Sequence, residues 1–123
     1  MNRLIRLWLL LACIAASGAS PNQNRLSQDR IAWVSDTLNR MLSIGPGMTR
    51  GDLLKVFTTA GGLATVLDRP YVSRDCPYFK VDVRFEPVGG VKRDAEGRVT
   101  NVEDNRDIIR AISRPYLSRI VTD

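Results

Sequence analysis

SIGPGMTRGDLLKVFTTAGG, Ser43 to Gly62, reads as a helix with both ends written out. Thr49 offers a side-chain oxygen to the first-turn amides, and Asp52, three residues on, can reach back to the cap, which is the spacing of a capping box. Met48 before the cap and Leu53 inside the helix are placed as a hydrophobic staple. Leu53, Leu54 and Phe57 fall on one face, with Val56 at its margin. Gly61 and Gly62 supply a left-handed stop, and Gly45-Pro46-Gly47 makes a turn that sets the helix apart from what precedes it. So short a helix is marginal alone, and its apolar face needs a cover. The stretch that fits is Tyr78 to Pro87, where Phe79, Val81, Val83 and Phe85 alternate with Lys80, Asp82, Arg84 and Glu86. That period of two predicts an antiparallel strand, dry on one side and wet on the other.

On the N-terminal side, Gln28 to Ile44 carries Ile31, Val34, Leu38, Met41 and Leu42, with Trp33 beside them. Their recurrence at three and four predicts a first helix, with Asp36 and Arg40 as an i,i+4 pair. Ser20 to Asn24 is polar and reads as a linker. On the C-terminal side, Val66, Tyr71 and Val72 suggest a strand within Leu63 to Arg74. Pro70 lacks a donor there, which predicts an edge strand or a bulge. Asp75-Cys76-Pro77 reads as a turn and Pro87 to Gly97 as a loop. Arg98 to Glu103 reads as a short strand. Asp107 to Ser113 fits either a helical turn or a strand, and its β-branched isoleucines favour strand. Arg114-Pro115-Tyr116-Leu117 then leaves the sheet. The expected fold is α+β, two N-terminal helices packed on a three- or four-stranded antiparallel sheet, forming a single domain over residues 20–123.

The first nineteen residues have the three-part plan of a secretory signal. Arg3 and Arg6 precede an apolar run from Leu7 to Ala16, and Ser17 and Ala19 are placed for a cut before Ser20. The run is too short to span a bilayer as a helix. A second cut is open, since Leu10-Leu11-Ala12-Cys13 resembles a bacterial lipobox, which would make 1–12 a lipoprotein signal and Cys13 a lipidated N-terminus. The ordinary cut fits the usual length of the apolar run better. An exported protein is expected, periplasmic or in the outer envelope, touching a membrane only if Cys13 is lipidated. Without Arg3 and Arg6, sixteen basic residues stand against thirteen acidic, a net charge of +3. That mild excess suits solubility better than a dedicated polyanion surface.

The sequence contains no histidine, so the commonest general base and metal ligand is missing. Cys76 stands alone once Cys13 is removed or modified, leaving no internal disulfide, and nothing in the pattern activates it as a nucleophile. Glu103, Asp104 and Asp107 are the one acidic cluster and read as a solvated loop. Neither glycine pair has the strand–loop–helix context of a phosphate cradle. No catalytic, cofactor-binding or metal site is expected, and no nucleic-acid stripe of basic and aromatic residues stands out. Tyr71, Arg74, Cys76 and Tyr78 gather around one turn and form the expected partner-binding group, since Tyr and Arg are favoured at interface hot spots.

The order of helix, Gly47-Met48-Thr49-capped helix and antiparallel strands resembles the SmpA/OmlA type of small outer-membrane-assembly lipoprotein. The residues that carry it are Ile44 to Thr49, Leu53, Leu54, the strand Phe79 to Phe85, and Asp94, Gly97, Arg98 and Val99. The chain departs from that family at Ala60-Gly61-Gly62, where the family has Gly-x-Pro, and in its tail from Ile112 to Leu117. The resemblance implies helices on one face of a sheet, working as a binding or assembly module in the envelope. Composition and resemblance together point to a non-enzymatic exported module with an envelope protein as partner. The alternatives are a small exported enzyme using Cys76, and a polyanion or membrane-surface binder.

Overall fold

A computed structural model of the chain describes residues 20–118. The expected leader, with Cys13, lies outside the described residues. The chain divides into two compact units after Ala32, and the hydrophobic core lies in the second.

Helix α1 runs Pro21–Leu42, so the stretch Ser20 to Asn24 is not a linker but the start of a helix. Pro21 takes the first helical position, where a missing N–H is no loss, and the amides of Gln23 and Asn24 bond back to the Ser20 carbonyl. In the second unit Thr37 and Met41 of α1 are buried. Arg40 pairs with Asp75 at 2.9 Å rather than with Asp36. After the Gly45–Met48 turn, helix α2 spans Arg50–Val56 and opens with the expected capping box. The Asp52 amide donates to Thr49 Oγ1 at 3.2 Å, and the Thr49 amide donates to Asp52 Oδ2 at 3.3 Å. Loop carbonyls accept from the first two amides, Asp107 from Arg50 at 2.8 Å and Asn105 from Gly51 at 2.9 Å. The amide of Leu53 turns back to the Thr49 carbonyl, so no N-terminal donor of this helix is orphaned.

The other end of α2 differs from the sequence reading. The helix stops at Val56, and Phe57 starts strand β1, Phe57–Thr59, instead of closing the helical face. Two threonines follow Phe57, poor in a helix and favourable in a strand. The neighbouring strand takes up the backbone, with the Arg74 amide donating to the Val56 carbonyl. Gly61 and Gly62 therefore end no helix. Gly62 has its positive φ in the loop beyond β1.

The remaining strands are β2 (Asp68–Ser73), β3 (Phe79–Glu86), β4 (Val91–Arg93), β5 (Val99–Asn101), β6 (Ile108–Ile112) and β7 (Tyr116–Leu117). With β1, four of these form one five-stranded antiparallel sheet in the order β1-β2-β3-β6, with β7 also paired to β3, while β4 and β5 form a separate two-stranded ribbon. The fold is α+β, but a sheet of five strands plus a ribbon replaces the expected three or four. The extra strands have two or three residues each, too few for alternation to show in a sequence. Tyr116 and Leu117 do not leave the sheet; they pair with Lys80 and Phe79. Nor is β2 an edge strand. Pro70 is tolerated inside the sheet because its carbonyl, and so its nitrogen, faces the side where β1 is ending, and the carbonyl accepts from Ala60 just past that strand.

One face of the sheet carries the core. Met41, Ile44, Leu53, Phe57, Tyr71, Val81, Val83, Phe85 and Ile109 are all buried together, with Met48 and Leu54 packed against them. The alternation in β3 is as expected, with Val81, Val83 and Phe85 inside and Asp82, Arg84 and Glu86 exposed.

At the centre of this core sits an arginine. Arg50 is fully buried, and its five N–H groups meet five acceptor contacts. Nε and Nη2 donate to Asp107 Oδ2 at 3.2 and 3.0 Å. Nη2 also reaches the Val66 carbonyl at 2.7 Å, and Nη1 reaches the Tyr71 hydroxyl at 2.9 Å and Glu103 Oε1 at 3.1 Å. The guanidinium lies over the Phe85 ring, 3.8 Å from its centroid, and Tyr71 meets the same ring edge-on at 6.0 Å. Asp107 is equally buried and accepts further bonds from the amides of Val88 and Asp104. Burial alone would raise its pKa. Those two amides and the Arg50 guanidinium outweigh that and hold the carboxyl below its ordinary value. Asp107 is thus a core residue, not part of a solvated loop.

Candidate partner-binding surface

The structure separates the four residues expected at the partner surface. Tyr71 is fully buried, its hydroxyl on Arg50, and burial raises its phenol pKa. Cys76 is buried too, with its amide on the Ser73 hydroxyl. These two cannot meet a partner, because both rest against the inside of the fold. The alternation of β2 puts Tyr71 on the same face as Ser73, toward the core. Arg74 is exposed, but its Nε donates to the Leu54 carbonyl at 2.8 Å in the last turn of α2, where a cation also complements the helix dipole. Tyr78 alone is an open side chain, 55% exposed.

Tyr78 stands at a corner that sequence reading missed. Its carbonyl accepts from the Ser118 amide at 2.8 Å, directly beyond the β3–β7 pairing of Phe79 with Leu117 and Lys80 with Tyr116. Tyr116 therefore shares the outer face of the sheet with Lys80, and Tyr78 stands in the turn that opens β3, beside the end of β7. Leu117 is turned to the other face and is 66% exposed. The Tyr116 hydroxyl donates to Asp82 Oδ1 at 2.9 Å. Burial, and then that bond to a carboxylate, raise its pKa and keep the phenol protonated. The signal for Tyr116 and Leu117 was their apolar character beside the tail proline. Pro115 interrupts that signal, which is why the sequence points out of the sheet there.

The rest of the outer face is occupied by its own charges. A groove of about 570 Å³ is lined by Leu67, Asp68, Arg84, Glu86, Pro87 and Arg110, among others. Within it Arg84 donates through Nε and Nη2 to Asp68 Oδ2, at 3.1 and 3.0 Å, so this pair is satisfied internally. Elsewhere Arg106 holds Asp104 through its side chain and amide, depressing that carboxyl to about 2. Among the described residues, no three Cys, Asp or Glu side chains converge as a metal-binding group, and no helix is long and apolar enough to cross a membrane. No family model, curated protein or solved structure matches the chain.

Proposed function

We propose that this chain is a non-enzymatic binding module of the cell envelope, exported by its N-terminal leader, and that the Tyr78–Tyr116–Leu117 corner meets a protein partner. The observation that carries the reading is the exposure of two tyrosines and a leucine where β7 pairs with the start of β3. Tyrosine presents a large amphipathic surface with few rotors to freeze, which is why it anchors interfaces. The burial of Cys76 weighs against the thiol-enzyme alternative, since a nucleophile must be reachable. The resemblance to SmpA/OmlA-type assembly lipoproteins supports an envelope partner.

A photo-crosslinking residue placed in the producing cell at Tyr78, at Leu117 and, as control, at Glu96 in the ribbon tests the surface. A discrete adduct is expected from the first two positions and not from the third. Equal labelling from all three, or none from Tyr78 and Leu117, rejects the corner. The intact mass of the mature protein tests the export reading. A lipidated start at Cys13 or a start near Ser20 supports it, and an uncut chain removes it.

A further inference from the structure

We propose that Arg50, Arg69 and the Tyr71 hydroxyl form a binding site for a phosphate or carboxylate group, and that Glu103 fills it as a tethered stand-in. The site shares no residue with the tyrosine corner and does not depend on it.

The charges divide unequally. Asp107 neutralises Arg50 from inside the fold, fully buried and held by two guanidinium bonds and two amides. Glu103 is different. Its side chain is 42% exposed, and its carboxylate spans two arginines, Oε1 at 3.1 Å from Arg50 Nη1 and Oε2 at 3.6 Å from Arg69 Nη1. Charge-assisted bonds from guanidinium groups are also what hold a bound carboxylate or phosphate. The Arg69 contact is long for a hydrogen bond. Arg69 Nε is moreover buried with no partner, a donor that the Glu103 carboxylate leaves open. Buried guanidinium donors are ordinarily satisfied. Arg69 therefore has capacity that Glu103 does not use, and a phosphate brings more acceptor oxygens than a carboxylate.

The position of Glu103 suits a displaceable occupant. It lies between β5 and β6, on the segment that joins the exposed ribbon to the sheet. When Glu103 is withdrawn, Arg50 keeps Asp107, the Val66 carbonyl and Tyr71, so the core side of the site stays in place. A short tether holds its group at an effective concentration of order mM, so free anion competes poorly while Glu103 is seated.

The test is a titration of the full chain with inorganic phosphate at low ionic strength, read on the arginine Nε–H signals by NMR and on Tm. It uses the unsubstituted protein, Glu103→Ala, and Glu103→Ala combined with Arg69→Ala. Glu103→Ala is expected to bind phosphate at least tenfold more tightly than the unsubstituted protein and to gain Tm with it, and the double variant is expected to lose both effects. A parallel titration with acetate identifies the ligand group: preference for phosphate indicates a phosphate ester, and preference for acetate indicates a carboxylate ligand. A folded Glu103→Ala protein that responds to neither anion overturns the proposal. Binding that survives Arg69→Ala overturns it as well, being a general surface effect. A Glu103→Ala chain that cannot fold even with phosphate present also overturns it, since Glu103 would then be a fixed part of the fold.

Discussion

Two arginines show how much burial decides what an ion pair contributes. Arg84 and Asp68 make two good hydrogen bonds, yet both side chains are more than half exposed. Arg84→Ala should cost less than about 1 kcal/mol, as exposed pairs do. Arg50 and Asp107 are both fully removed from water. Arg50→Met would leave the Asp107 carboxylate buried with only its two amides, and the expected loss is about 3–5 kcal/mol. Arg50→Met combined with Asp107→Leu should be less damaging than Arg50→Met alone, because no charge is then stranded. Urea denaturation of the three variants measures all of this. The pH response follows from the same residues. Asp52, Asp104 and Asp107 all titrate below their ordinary values in the folded chain. A depressed carboxyl contributes stability above its unfolded pKa of about 3.9, and that stability is lost as the pH falls through the folded value. For Asp104 that value is about 2. The midpoint of urea unfolding should therefore be level above about pH 5 and fall steadily between about pH 4 and pH 2. A midpoint unchanged across that window would contradict the assignment.

At the level of elements, the joint between the turn and α2 is the most tightly determined. Gly47 adopts φ +88° while its amide donates to the Ile109 carbonyl at 2.8 Å, and Met48 accepts from the Ile109 amide. Gly47→Ala keeps the space but forces a side chain into the left-handed region, a loss of about 1–2 kcal/mol. Thr49→Ala removes the cap and should cost about 1 kcal/mol. Thermal unfolding of both variants against the unsubstituted chain measures the two effects. The cap was legible in the sequence because capping is a local matter: Thr49 and Asp52 serve amides within three residues of themselves. The alternation of β3 was legible for the same reason. The end of α2 was not, because Phe57 is apolar at a spacing that suits a helix and a strand equally, and the pairing with β2 that decides it is distant in sequence. Arg50 and Asp107 were missed on different grounds. A buried charge looks like a surface charge until its partner, fifty-seven residues away, is known. Tyr71 reads as a surface residue because it flanks a turn with Tyr78, but strand alternation carries it inward.

Across the whole molecule, contacts are concentrated on β3. It pairs with β2 on one side and with β6 and β7 on the other, and its inward side chains are nearly all inaccessible. Val83→Asp would place a carboxylate without a partner at that centre, and unfolding of the whole second unit is expected rather than local fraying. The ribbon of β4 and β5 lies at the other extreme. All six of its residues are exposed, and an isolated pair of strands is marginal in water. Its amides should therefore exchange with solvent through local opening, while those of β2 and β3 exchange only through global unfolding. The two populations can be separated by native-state hydrogen exchange in low denaturant. Free energies of opening for Lys92 and Thr100 should be small and nearly independent of denaturant, and those for Val81 and Val83 should match the global unfolding value. If ribbon and centre exchanged with one common free energy, the ribbon would be held as firmly as the sheet, and the exposure of its residues would not report its stability.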